Sequence, residues 1–187
     1  MNRSSKVVLV AVVALTLSAS FFSAQAQKDP MVGGAAMYPT KNVIENAVNS
    51  KDHTTLVAAV KAAGLVETLE GPGPFTVFAP VNSAFDKLPA GTVDTLLKPE
   101  NKDQLVKILT YHVVAGKVNS KELVKMIKSG GGKAYLKTVS GGTLTASVQG
   151  GKVILTDEKG GMATVTIADV YQSNGVIHVV DSVLLPN

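Results

Sequence analysis

Apolar positions along this chain recur with two spacings, and the change between them divides it into a helical first part and an extended second part. From Thr40 the spacing is helical. Val43, Ile44, Ala47 and Val48 fall on one face, and Leu56, Val57, Val60 and Ala63 repeat the pattern until Gly64 offers a cap. This predicts two amphipathic helices parted near Ser50 to Asp52. Gly71-Pro72-Gly73-Pro74 then reads as a rigid turn into Phe75 to Ala79, where both alternating sets are mostly apolar, predicting a strand covered on both faces. Pro80 lacks a ladder donor and ends the pairing, and Asn82 is expected to cap a short helix carrying Ala84, Phe85 and Leu88. Further helices are predicted over Thr92 to Leu97 and Pro99 to Thr110, the latter with Leu105, Ile108 and Leu109 inward. Tyr111 to Val114 is strand-like in composition. Asn119 and Glu122 form a capping pair for a helix with Leu123, Val124 and Ile127 on its apolar side, ended by Gly130 to Gly132.

From Lys133 the period becomes two. Strands are predicted over Tyr135 to Val139, Thr143 to Val148, Lys152 to Thr156, Met162 to Val170 and Val176 to Val183, with glycine pairs between several of them. Asn174-Gly175 predicts a tight hairpin with both residues at positive φ. Helices first, antiparallel strands later and one early strand joining the sheet define an α+β fold and exclude a βαβ succession. No internal repeat is visible, so residues 40–187 form a single domain. Residues 27–39 are small, proline-punctuated and aperiodic, and read as a flexible lead-in.

The N-terminus changes the picture of where the domain works. Arg3 and Lys6 precede an almost unbroken apolar run from Val7 to Leu17, and Ala24-Gln25-Ala26 is a small-x-small site. Residues 1–26 therefore read as a signal peptide cut after Ala26, directing a secreted or periplasmic protein with no stable membrane span. The rival reading, an uncleaved anchor, is disfavoured by Ser18, Ser20, Ser23 and Gln25 in the later half. The chain has no Cys, so packing alone stabilises it and no lipid-bearing cysteine is present. Its net charge of +4 includes the two cations of the export segment, and no basic stripe interleaved with aromatics appears, which excludes a nucleic-acid partner.

Candidate chemistry is sparse. His53 lies in a polar helix start and reads as solvated, whereas His112 and His178 interrupt apolar runs and read as buried side chains with both nitrogens partnered. Ser83, His112 and Asp181 could be imagined as a hydrolytic triad, but Ser83 lacks a nucleophile elbow. Gly130 to Lys133 fails as a phosphate loop, and Asp157-Glu158 lacks the alternating oxygen ligands of a calcium loop. No metal or cofactor is implied.

Two segments carry a resemblance. Phe75 to Phe85, with Thr76, Phe78, Ala79, Pro80, Asn82 and Phe85, and Asn174 to Pro186, with Asn174, Gly175, His178 and Asp181, resemble the two signatures of the fasciclin domain, and Tyr111-His112 resembles its Tyr-His motif. The similarity runs from about Thr40 to Pro186. It implies a β-wedge of about seven strands flanked by several short helices. It also implies a non-catalytic binding module for cell adhesion or attachment to extracellular matrix, a surface protein or a polysaccharide, with weak self-association as its route to avidity. Tyr111 and His112, together with Asp169 and Val170 in the place of a receptor-engaging Asp-Ile pair, are the contact positions it implies. A periplasmic carrier of a small apolar ligand or lipid is the alternative, motivated by high apolar content with few large aromatics to fill the core.

Overall fold

The computed structural model describes residues 29–187; the export segment and its cut after Ala26 lie outside the described residues. The first described residues form a small hairpin, β1 (Met31–Val32) against β2 (Ala35–Ala36). This corrects the flexible lead-in expected there: Val32 and Met37 are 4% and 2% exposed, and the Gly33 carbonyl accepts a bond from Lys51 N–H at 3.1 Å. A stretch without a sequence period is ordered by contacts made at long range.

Helices follow: α1 (Val43–Ala47), α2 (Thr54–Ala63) and α3 (Val66–Glu70), with a 3-10 turn at Lys51–His53. Gly64 ends α2 at φ 72°, as its position predicts. Val48, expected on the inner face, is 48% exposed because α1 stops at Ala47. Next come β3 (Phe75–Pro80), the single turn α4 (Asn82–Phe85), α5 (Thr92–Leu96), α6 (Lys102–Tyr111), β4 (Val113–Ala115) and α7 (Ser120–Ser129). A reciprocal capping box between Asn119 and Glu122 opens α7. The rest is strand: β5 (Lys133–Lys137), β6 (Thr143–Gln149), β7 (Lys152–Thr156), β8 (Met162–Gln172) and β9 (Gly175–Val180).

One seven-stranded sheet runs β4-β3-β9-β8-β7-β6-β5. Every neighbouring pair is antiparallel except β3 and β9, which lie parallel from Phe75 against Gly175 to Pro80 against Val180. A bridge between Val114 and Thr138 joins the two outer strands, so the sheet bends almost into a barrel. The parallel pair is its spine. Val77, Ala79, Ile177 and Val179 face the apolar cluster under α1, α2, α3, α5 and α6, while Phe78 and Val180 face a second cluster with Leu123 and Ile127 of α7 and the inward residues of β5 to β8. Burial on both faces explains why these strands read as continuous apolar runs.

Two turn expectations are corrected. Neither Asn174 nor Gly175 takes positive φ, because the turn sits at Ser173-Asn174 and β9 begins at Gly175. Glycine is required there for a different reason: a Cβ at 175 would stand 2.3 Å from the Phe75 carbonyl oxygen of the parallel neighbour. Asn174 serves as a junction, accepting from Val43 N–H at 3.1 Å and donating to the Leu69 and Gly71 carbonyls at 2.7 and 3.0 Å. Asn82 does not cap its own helix, whose cap is Val81; its side-chain oxygen accepts from Thr55 N–H at 3.0 Å and its amide donates to the Lys51 carbonyl at 2.8 Å. It caps α2 from across the fold.

Candidate functional site

The most elaborated polar structure of the domain is built where β9, the end of β4 and the start of α7 meet. Thr76, fully buried on β3, donates to the Gly116 carbonyl at 2.7 Å and accepts from Val118 N–H at 2.8 Å, so one hydroxyl clasps both ends of the 116–118 turn. His178, on the neighbouring strand, reaches the same turn, with Nε2 2.8 Å from the Val118 carbonyl oxygen. A carbonyl can only accept, so Nε2 carries the proton; Nδ1 then accepts from Asp169 N–H at 3.4 Å. The ring stacks on Phe78 at 5.6 Å between centroids. Burial lowers the His178 pKa against the pull of the Val118 carbonyl and Asp169, so the ring is neutral at pH 7.

Asp169 supplies the other side. It has a left-handed backbone, φ 59°, at a register shift of β8 between Ile167 and Val170. Its carboxylate accepts from Ser120 N–H at 2.7 Å and from the Ser120 hydroxyl, at the first turn of α7 where a negative charge is favoured. The bulge turns Asp169 outward while Val170 packs inward, 1% exposed. The loop and helix start thus pinned form one wall of an open groove of about 490 Å³, lined by Lys117, Val118, Glu122, Lys125 and Met126. Lys117 Nζ stands 5.1 Å over the ring of Tyr171, beside the groove.

Comparison with known proteins decides the family. The sequence model of the fasciclin domain matches residues 51–186. The chain belongs to the fasciclin domain family. Protein sll1483 of Synechocystis sp. is 51% identical over 160 residues, covering 86% of this chain and 82% of its own length. Immunogenic protein MPB70 of Mycobacterium bovis is 38% identical over 145 residues, 75% of this chain and 66% of that protein. Among solved structures, a FAS1 domain pair from the insect cell adhesion molecule fasciclin I superposes with a TM-score of 0.69 at 21% identity, covering 78% of this chain and 51% of that one. That last likeness is one of fold, and the seven-stranded, helix-flanked sheet is the fold it shares.

Within this fasciclin domain the motif residues are dispersed: Thr76, His178 and Asp169 meet around the 116–118 turn behind the groove, while Asn82 and Asn174 brace α2 and α1. Tyr111 and His112 lie elsewhere, 0% and 3% exposed, and present no surface to a partner. The Tyr111 hydroxyl donates to the Thr143 carbonyl at 2.9 Å and accepts from Glu158 N–H at 3.2 Å; burial and the Glu158 and Asp157 charges push its phenol up to about 12, against the pull of that N–H. His112 accepts from Leu184 N–H on Nε2 at 3.0 Å, which leaves Nδ1 to donate to the Ile108 carbonyl at 2.9 Å. Both nitrogens are committed to backbone, so no base is available to Ser83, and Asp181 is bonded to Thr164 N–H at 2.8 Å and to Ser182. The imagined triad is not assembled.

Two other sequence readings change. His53 is 3% exposed, not solvated: Ser50 Oγ lies 2.8 Å from Nδ1, and Nε2 has no partner in hydrogen-bond geometry among the described residues. Burial lowers its pKa, with the Ala79 backbone and Asp52 opposing from longer range. The apolar space between helices and sheet, lined by residues such as Val43, Leu56, Val60 and Leu109, amounts to about 40 Å³. Lys117, Lys125 and Met126, which line the groove, and Tyr171 under Lys117 were not singled out by sequence reading, because a turn, a helix and a strand distant in sequence bring them together.

Proposed function

We propose that this fasciclin domain is an exported, non-catalytic module that attaches to a cell-surface protein, a matrix component or a polysaccharide. The observation that carries this reading is the open groove beside α7, exposed to solvent while the polar side chains beneath it are spent on holding its walls. A wall whose Thr76, His178 and Asp169 side chains are spent on hydrogen bonds within the fold suits binding more than turnover. The insect relative of the same fold is named a cell adhesion molecule. No helix among the described residues is long and apolar enough to cross a membrane. As a single copy in this chain, it would gain avidity by weak self-association.

The alternative, a carrier of an apolar ligand, has less behind it. A void of about 40 Å³ is close to the space of one water, whereas small-molecule sites span roughly 300 to 1,000 Å³. The attachment reading is tested by titrating fluorescently labelled protein, purified after export, onto envelope fractions of its host. Saturable attachment with a Kd below the high micromolar range is expected; a linear, unsaturable signal overturns the reading.

A further inference from the structure

We infer that the groove beside α7 binds an acidic polysaccharide, with Lys117 and Lys125 holding its carboxylates and Met126 and Tyr171 receiving the apolar faces of its sugars. The inference rests on the attachment reading and gives its partner a chemistry. Charge is distributed unevenly in this domain. Residues 117–137 hold six lysines (117, 121, 125, 128, 133 and 137) against the single acid Glu122, a surplus of five. The remaining described residues hold nine lysines against thirteen acids, a deficit of four. A domain close to neutral overall therefore carries one cationic region, and a field of that kind selects partners by sign.

Geometry then places the cations. Lys121, Lys125 and Lys128 recur at i, i+4 and i+7 on α7, opposite Leu123 and Ile127, which are 1% and 3% exposed against the sheet. At 1.5 Å rise per residue they make one solvent-facing ridge about 10 Å long. The groove runs along its flank, with Lys125 common to both. Lys117 lines the same groove and stands over Tyr171. Among the described residues the one ion pair is Lys87 with Asp181, so no carboxylate touches any of the four cations from Lys117 to Lys128. Glu122, the acid within the groove, is turned back onto Asn119 N–H at 3.2 Å.

The apolar content of the site favours sugar over other polyanions. Met126 is 39% exposed and Tyr171 37%, giving a soft thioether and an amphipathic ring next to the cations. A membrane-surface helix would turn its apolar face outward, but that face of α7 is buried in the sheet. A single-stranded nucleic acid needs a row of stacking platforms, and Tyr171 and Tyr135, on the separate strands β8 and β5, do not make one. An acidic polysaccharide needs what the groove has: spaced ammonium groups, a little apolar surface and an open channel.

Calorimetric titration of the purified protein with polygalacturonate tests this, with dextran as neutral comparator and phosphatidylglycerol vesicles and a single-stranded oligonucleotide as rival polyanions. Polygalacturonate is expected to bind and dextran not to, with affinity falling as ionic strength passes about 0.15 M. The double variant K117E/K125E should lose about tenfold or more in affinity at unchanged melting temperature, while K98E, at an exposed lysine outside the cationic region, should bind as the parent does. Absence of polygalacturonate binding at low salt, an unaffected double variant, or tighter binding of vesicles or oligonucleotide each overturns the inference. Envelope attachment that persists in K117E/K125E while polygalacturonate is ignored sinks the polysaccharide and leaves the attachment reading standing. Polygalacturonate binding without envelope attachment does the reverse.

Discussion

His178 joins three segments through one ring, and its replacement separates architecture from recognition. His178→Ala leaves the Val118 carbonyl and Asp169 N–H without a partner beside a small void. Stranded buried groups cost about 1 to 3 kcal/mol, and the melting temperature should fall by roughly 3 to 10 °C in a thermal scan. An unchanged melting temperature would show that neither bond contributes. At this scale the sequence was readable where a polar residue interrupts an apolar run, as His112 and His178 do. It misled at His53, whose neighbours Lys51 and Asp52 are exposed, because the residues gathered around this ring, among them Val32, Met37, Ala79 and Val170, come from distant parts of the chain. Asp169 was marked by resemblance, but its left-handed backbone and its hold on Ser120 follow from a register shift that composition does not encode.

Helices and strands were legible wherever their own period carried them. The Asn119-Glu122 box and the alternation of Leu144, Ala146 and Val148 fixed local structure from local residues. Asn82 was misread for the same reason: the sequence shows that a capping side chain stands before Ala84 and Phe85, but not that it turns toward another helix. Asn82→Ala should therefore destabilise α2 and leave α4, whose cap is Val81, unaffected. Loss of about 0.5 to 2 kcal/mol is expected in denaturant unfolding, and hydrogen exchange should speed at Thr55 and the following turn. Faster exchange confined to residues 82–85 would contradict the assignment. The parallel pairing of β3 with β9 was not legible at all, since its hydrogen bonds join segments that share no turn. The early strand was expected to join the sheet, but not with β9 as its neighbour.

The whole molecule contains three buried imidazoles, and together they give it a pH dependence. Burial lowers the pKa of His53, His112 and His178 from 6.5, so below that value the unfolded chain takes up protons that the folded chain refuses. Stability should be flat above about pH 7 and fall steadily as pH drops from about 6.5 toward 5, read as the shift of a urea midpoint. Asp181 adds a further loss only in stronger acid: burial raises its carboxyl pKa, but Thr164, Ser182 and Lys87 outweigh that and hold it low. Stability that rises on acidification to pH 5 would mean that the rings are charged in the fold. The α+β layout was legible because it follows from apolar spacing; the division of the core into two clusters and the near-closure of the sheet, through Val114 and Thr138, were not. The central position of β9 also bears on how the chain is made. Its strand lies between β3 and β8, so until β9 pairs, the ladders β4-β3 and β8-β7-β6-β5 are linked through the Val114–Thr138 bridge and not through the centre of the sheet. Chains ending before Gly175 should remain sensitive to protease throughout, because β3 then has no inner neighbour.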